Sequence, residues 1–337
     1  MMIRGRGKNG RHAVLPRLLF MLLCGGLPVV AHAAADDWRQ QATEYRFAAR
    51  HAAGNVHYFV TNADKSYPVT SVLIVMHGHP RDVGRTLSAA RQAASGNASA
   101  SHIPIVAPLF QVAASQNERC KSPGLPAPSA GDVLWNCHSW LEGGLDEQGK
   151  LSAFAAIDQL LAQLKQRWPG LHQVTFAGFS AGGQFVQHYI AFARPPAGIR
   201  MRYVVADPGS WLWFDPRPTN GCQQVNQWKY GMEKVPAWLV GSAEGARDRY
   251  RAAAVSYLVG GEDQGSGPGR YEHILDKSCA AESQGQYRLD RAVNYAHYDA
   301  AILKPVTPHP FDVVPGCRHD VRCVFPSDAG RERLFSR

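Results

Sequence analysis

Five residues constrain this chain more than any other stretch: Gly178-Phe179-Ser180-Ala181-Gly182. Gln173 to Ala177 before them reads as a strand, and Ala181 to Ala193 after them reads as a helix ended by Pro195-Pro196. A serine between a strand and a helix sits on a sharp turn, with its Oγ pushed out at the sheet edge. Side chains beside it would collide inside so tight a turn, hence the glycines. The helix that follows offers free backbone N–H groups to a negative charge developing at the hydroxyl. The blander reading is a glycine-rich turn whose serine caps the helix. The strand, the helix and the further Gly183 favour an exposed, activated hydroxyl.

The rest of the chain alternates in the same way. Val56 to Val60 reads as a strand. Val69 to Met76 contains the unbroken apolar run Val72-Leu73-Ile74-Val75-Met76, as in a parallel sheet buried on both faces. Arg81 to Ala94 is expected to be helical, and Ile103 to Pro108 to be a short strand. Leu151 to Trp168 is an amphipathic helix, with Leu151, Phe154, Ile157, Leu160, Leu161 and Leu164 on one face, stopped by Pro169-Gly170. Strands follow at Arg202–Ala206, 254–259 and 311–314, with helices at 288–303 and from Asp328. The fold class is therefore α/β, a doubly wound, mainly parallel sheet in a single domain spanning 34–337. Segments 111–150 and 208–236 are too long for plain connections and are expected to form a rim or lid. Trp140 and Trp211, with Trp135 and Trp213, lie in them, either lining an apolar binding cleft or packing beneath the loops.

The first 33 residues read as a signal peptide. Arg4, Arg6, Lys8, Arg11 and Arg17 make an acid-free basic region, Leu18 to Val30 an apolar one, and Ala31-His32-Ala33 a cleavage site. An uncleaved anchor is disfavoured because Gly25, Gly26 and Pro28 interrupt a short run. A lipid-modified Cys24 is disfavoured because Leu22 and Leu23 precede it. Removing this segment lowers the formal net charge from +9 to +4. No dense Lys/Arg stripe remains, so neither a nucleic-acid partner nor stable membrane insertion is expected. Six cysteines stay with the exported body, in the periplasm or outside the cell. Nearest neighbours suggest the disulfides Cys120–Cys137, Cys222–Cys279 and Cys317–Cys323. No CxxC pair is present, so no zinc or other metal is expected.

An unaided serine is a poor nucleophile and needs a histidine base held by a carboxylate. After a strand–serine–helix turn the order along the chain should be serine, acid, histidine. Among His188, His273, His297, His309 and His319, the last stands in a loop after a late short strand, where the base belongs, with Cys317 and Cys323 beside it. Asp263, just past the 254–259 strand and its glycine turn, is the preferred acid. Glu262 is the fallback, Asp207 reads better as a turn cap, and Asp248 as a helix-start acid. Asp320 adjoins the base too closely to face its ring. Two backbone donors should hold an oxyanion: the N–H of Ala181, and that of His79 in the loop His77-Gly78-His79-Pro80.

These pieces carry a resemblance. Val75-Met76-His77-Gly78-His79, Gly178 to Gly183, Tyr257 to Asp263 and Val314 to Asp320 are similar to the α/β-hydrolase superfamily. Within it the chain resembles secreted serine hydrolases related to polyhydroxyalkanoate depolymerases and esterases. The resemblance implies a cofactor-free hydrolase acting on a carboxylic ester, small or polymeric, through Ser180, His319 and Asp263. Gly260-Gly261 leaves Glu262 and Asp263 both open as the acid. A non-catalytic binding protein on the same scaffold, or a peptidase or amidase with the same triad, are the other readings.

Overall fold

Along the strand Ser71–Met76, Val72, Ile74 and Met76 join one apolar cluster while Leu73 and Val75 join another, and all five are buried. A strand that buries both faces belongs inside a sheet covered on both sides. The computed structural model, which describes residues 38–61, 67–95 and 100–335, has that arrangement. All of these residues fall in one unit. The expected signal peptide lies outside the described residues.

The strands in chain order are β1 (Ala42–Ala48), β2 (Asn55–Thr61), β3 (Ser71–Met76), β4 (Ile105–Leu109), β5 (Gln111–Val112), β6 (Leu134–Trp135), β7 (Gln173–Phe179), β8 (Arg200–Ala206), β9 (Ala254–Gly260) and β10 (Phe311–Val314). The longer helices are α1 (Val83–Ala94), α2 (Ala153–Arg167) and α3 (Ala181–Phe192). Shorter ones follow as α4 (Ala237–Ala243), α5 (Ala246–Ala252), α6 (Cys279–Glu282), α7 (Arg288–Tyr298), α8 (Val321–Val324) and α9 (Asp328–Phe335). The main sheet has eight strands in the order β1-β2-β4-β3-β7-β8-β9-β10. Pairs from β4 to β10 are parallel, while β1–β2 and β2–β4 are antiparallel. Apolar residues of α2, α3, α5 and α7 pack on one face, and those of α1, α8 and α9 on the other. The chain leaves β3 for one side of the sheet and returns to β7 on the other. In open α/β sheets such a reversal marks where ligands bind, outside the carboxyl ends of the strands it separates, here β3 and β7.

Most expected elements appear within a few residues of their expected bounds. The α2 face named above is wholly buried, and Ser152 caps its start by accepting from the Ala155 N–H at 3.1 Å. Such a cap contributes about 1 kcal/mol. The helix expected from Arg81 begins at Val83, because Arg81 has φ 58° and turns inward. Its buried guanidinium donates to the carbonyls of Cys120 and Phe110. The helix expected over 288–303 ends as α-helix at Tyr298 and continues as one π turn, Asp299–Leu303.

Segment 111–150 is stitched by the parallel pair β5–β6 and by Cys120–Cys137. Segment 208–236 is tied to α6 by Cys222–Cys279. Together with Cys317–Cys323, all three expected disulfides are present. Trp140 and Trp211 pack beneath these segments and line no cleft. Both have no exposed surface: Trp140 stacks on Phe110 and meets Phe185, and Trp211 stacks on Tyr295. They anchor the long segments to the core and present nothing to a cleft. Among the described residues no helix is long and apolar enough to cross a membrane.

Candidate active site

The parallel register levels the carboxyl ends of the central strands. Met76 pairs with Gly178, Phe179 with Ala206, and Val314 with Gly260. Whatever follows each strand is therefore delivered to one edge. Ser180 follows β7 directly and has φ 59° and ψ −124°, outside the regions ordinary for an L residue. Its neighbours force this turn. A Cβ on Gly178 would run into the Gly182 carbonyl, and one on Gly182 would lie 2.6 Å from the His77 carbonyl oxygen. The absent side chain at Gly182 lets the loop after β3 lie directly against the first turn of α3. Ala181 opens that turn, so its N–H has no acceptor within the helix.

His319 arrives on the loop between β10 and α8. The Cys317–Cys323 bridge closes that loop, and the His319 N–H donates to the Gly269 carbonyl at 3.1 Å. Asp320 caps α8 by accepting from the Arg322 N–H and takes the Arg85 guanidinium of α1 at 2.8 Å. The imidazole is 6% exposed and packs on Phe179, ring centres 4.7 Å apart. Its Nε2 lies 2.8 Å from Ser180 Oγ, and its Nδ1 lies 2.7 Å from Asp263 Oδ2. An ionised carboxylate only accepts, so Nδ1 carries the proton and Nε2 faces the serine hydroxyl as acceptor. Burial lowers the His319 pKa below 6.5, and the nearby Arg288 charge lowers it further, with Asp263 opposing both. Burial alone would raise Asp263, but its hydrogen bond and charge interaction with His319, with Arg288 adding, hold it below the ordinary carboxylate value.

Asp263, 2% exposed, follows β9 and also receives Arg288 Nη1 at 3.3 Å. Glu262 is half-exposed and pairs with Arg318 at 3.3 Å, whereas His319 Nδ1 meets Asp263. Asp248 sits in α5 paired with Arg251, as a helix-start acid would. His188 is buried between the carbonyls of Gln184 and Lys229, away from this edge, and burial depresses its pKa to about 4. His309 is buried against Asp299 and Tyr257. In the loop after β3, His77 is fully buried and pushed by desolvation to a pKa of about 3. Gly78 is pinned by Asp82, which accepts its N–H at 2.7 Å. His79 remains partly exposed beside the ring of His138.

Two residues of this cluster were not assigned a part by sequence reasoning. Asp207, read as a turn cap, is fully buried and accepts the Gly260 N–H at 2.9 Å. Arg288, not singled out at all, opens α7 and is 4% exposed. A cation on the first turn opposes the helix dipole, and that mismatch was the available signal. Donor atoms of Asp207, Asp263 and His319 lie within 4.8 Å of one another. Both imidazole nitrogens are already engaged, by serine and by aspartate, which leaves neither free to ligate a metal. A groove of about 980 Å³ lined by Tyr67, His102 and Arg200 opens at the opposite, amino edge of the sheet and touches none of these residues.

No family model matches the sequence, and no curated protein does. Solved structures do. Poly(aspartic acid) hydrolase-1 from Sphingomonas sp. KT-1 superposes with a TM-score of 0.61 at 19% identity, covering 87% of this chain and 98% of that one. A poly(3-hydroxybutyrate) depolymerase from Bordetella parapertussis gives 0.60 at 22% identity, covering 87% and 94%. The chain has the α/β-hydrolase fold.

Proposed function

We propose that this chain is an exported serine hydrolase that cleaves a carboxylic ester through an acyl-enzyme. One observation carries the reading: the unbroken hydrogen-bonded series Ser180 Oγ, His319 Nε2, His319 Nδ1, Asp263 Oδ2, at 2.8 and 2.7 Å. Ser180 attacks the ester carbonyl while His319 takes its proton, and Asp263 stabilises the imidazolium that forms. The N–H groups of Ala181 and His79 receive the oxyanion. His319 then returns the proton to the leaving alcohol, and a water activated by the same nitrogen releases the acid. No cofactor enters the scheme. Three disulfides support an oxidising compartment.

Tyr271 is an aromatic side chain that faces solvent beside the base, 40% exposed, its ring centre 6.1 Å from that of His319. It takes the part in substrate contact that buried Trp140 and Trp211 cannot. One structural relative is named for a polyester and the other for poly(aspartic acid), a polyamide, so oligoesters and oligoamides both belong beside small esters among the substrates tested.

The purified mature chain is expected to turn over short p-nitrophenyl esters and to be labelled at Ser180 by a fluorophosphonate. A folded protein inert to both across acyl lengths is the binding-protein outcome. Turnover of amides at rates matching esters would move the reading to an amidase. The pH dependence has a definite sign. His319 must be neutral to accept the serine proton, and its pKa lies below 6.5. The acid limb of kcat/KM should therefore fall through a single titration below pH 6.5, with activity retained above it. Activity that stays level or rises as the pH falls through the histidine range would remove His319 as the base.

A further inference from the structure

Asp207 sits where the end of β8 turns, at φ 45°, with its backbone N–H held by the Leu258 carbonyl at 3.0 Å. It is fully buried. One carboxyl oxygen, Oδ1, accepts the Gly260 N–H. The other, Oδ2, meets no donor, and a carboxyl oxygen of Asp207 lies within 4.8 Å of one of Asp263. Two ionised carboxylates cannot bond to each other; a proton between them makes the contact favourable and supplies the missing partner. The charged groups facing this position are Asp263 from the loop after β9, His319 from the loop after β10, and Arg288 from α7. Arg288 is the cation named as facing Asp207, and Asp263 already binds it at 3.3 Å, while Arg85, which also acts on His319, is paired with Asp320. A second buried anion would have no counter-charge.

We propose that Asp207 stands as a neutral carboxylic acid that donates its proton to the Asp263 carboxylate, making it a positioning residue for the relay. Burial, with the Asp263 charge acting in the same direction, pushes its pKa well above the ordinary carboxylate range. The arrangement gives Asp263 three donors: His319 Nδ1–H, Arg288 and the Asp207 hydroxyl. Rotation of the Asp263 carboxyl away from His319 would then break two further bonds. The inference rests on the triad reading for its role, and on the Asp207–Asp263 contact alone for the proton.

Asparagine is the informative replacement. Its carbonyl accepts the Gly260 N–H, its amide donates to Asp263, and it tolerates a positive φ. Asp207→Asn should keep kcat within about threefold and leave the acid limb of kcat/KM unmoved. Asp207→Gly, free of strain at φ 45°, removes the donor and should lower kcat by up to about 100-fold with KM little changed. Infrared difference spectra of wild type against Asp207→Asn at pH 7 should contain a protonated carboxylic acid band present only in the wild type. This measurement reads no activity, so it decides the proton whether or not Asp207→Gly folds. A carboxylate difference in place of the acid band overturns the proposal. So does an Asp207→Asn enzyme as damaged as Asp207→Gly, or one whose acid limb shifts down, since that marks a lost negative charge. Failure of the triad reading shows separately, as a wild type that does not label at Ser180.

Discussion

Ser180→Ala is expected to abolish ester turnover, with kcat falling by about 10⁶-fold, on the scale of removing the nucleophile from a working triad. That loss corresponds to about 8 kcal/mol of transition-state stabilisation. Without Oγ, His319 has no proton to take and no covalent intermediate forms. What survives is the binding and oxyanion contribution of the N–H groups, some 10³- to 10⁴-fold above water in well-studied triads. Stability should change little, because Ser180 is partly exposed and no side-chain cap bond is lost from α3. Alanine keeps the Cβ at φ 59°, so the backbone strain of the turn is unaltered. Initial rates on a p-nitrophenyl ester, with fluorophosphonate labelling and a melting curve, check all of this. A variant that retains more than a few per cent of the wild-type rate would take Ser180 out of the mechanism.

Asp263→Asn should cost about 10⁴-fold in kcat with the fold intact. The asparagine carbonyl can keep the Arg288 contact, leaving its amide to face His319 Nδ1. An amide there donates where the carboxylate accepted, so the imidazole must take the other tautomer. Nε2 then carries a proton and cannot accept one from Ser180. KM should stay within a few-fold, because nothing in the change touches bound ester. Removing the side chain with Asp263→Ala is a different experiment, since it strips a buried arginine of its carboxylate and can cost 3–5 kcal/mol of stability at about the upper range for broken buried pairs. Steady-state kinetics with melting curves on both variants separate the chemical loss from the structural one. An Asp263→Asn enzyme near wild-type rate would mean that another group orients His319.

Much of the site could be read from the chain because its chemistry is local. The Gly178–Gly182 turn needs residue types that only a strand-to-helix junction explains, and Gly182 sits against backbone that no side chain could share. The apolar run of β3 follows from burial on both faces. Other features left weaker traces. β1, Ala-Thr-Glu-Tyr-Arg-Phe-Ala, was not expected as a strand, since an edge strand buries little and its alternation is diluted by polar residues. Likewise α4 and α5 are only seven residues each, about two turns, too short for a periodic face to stand out.

Ser180, His319 and Asp263 were named from their order and from the loops that hold them, since each follows a strand whose end must reach the same edge. That much lay in the linear chain, because strand, turn and helix signals are short-ranged. The burial of Trp140 and Trp211, the pairing of Glu262 with Arg318 and the closeness of Asp207 to Asp263 and His319 did not. Those depend on which side chains from distant strands and helices share one buried volume, where desolvation and the count of charges, neither of them a local property, decide which group is neutral and which is ionised.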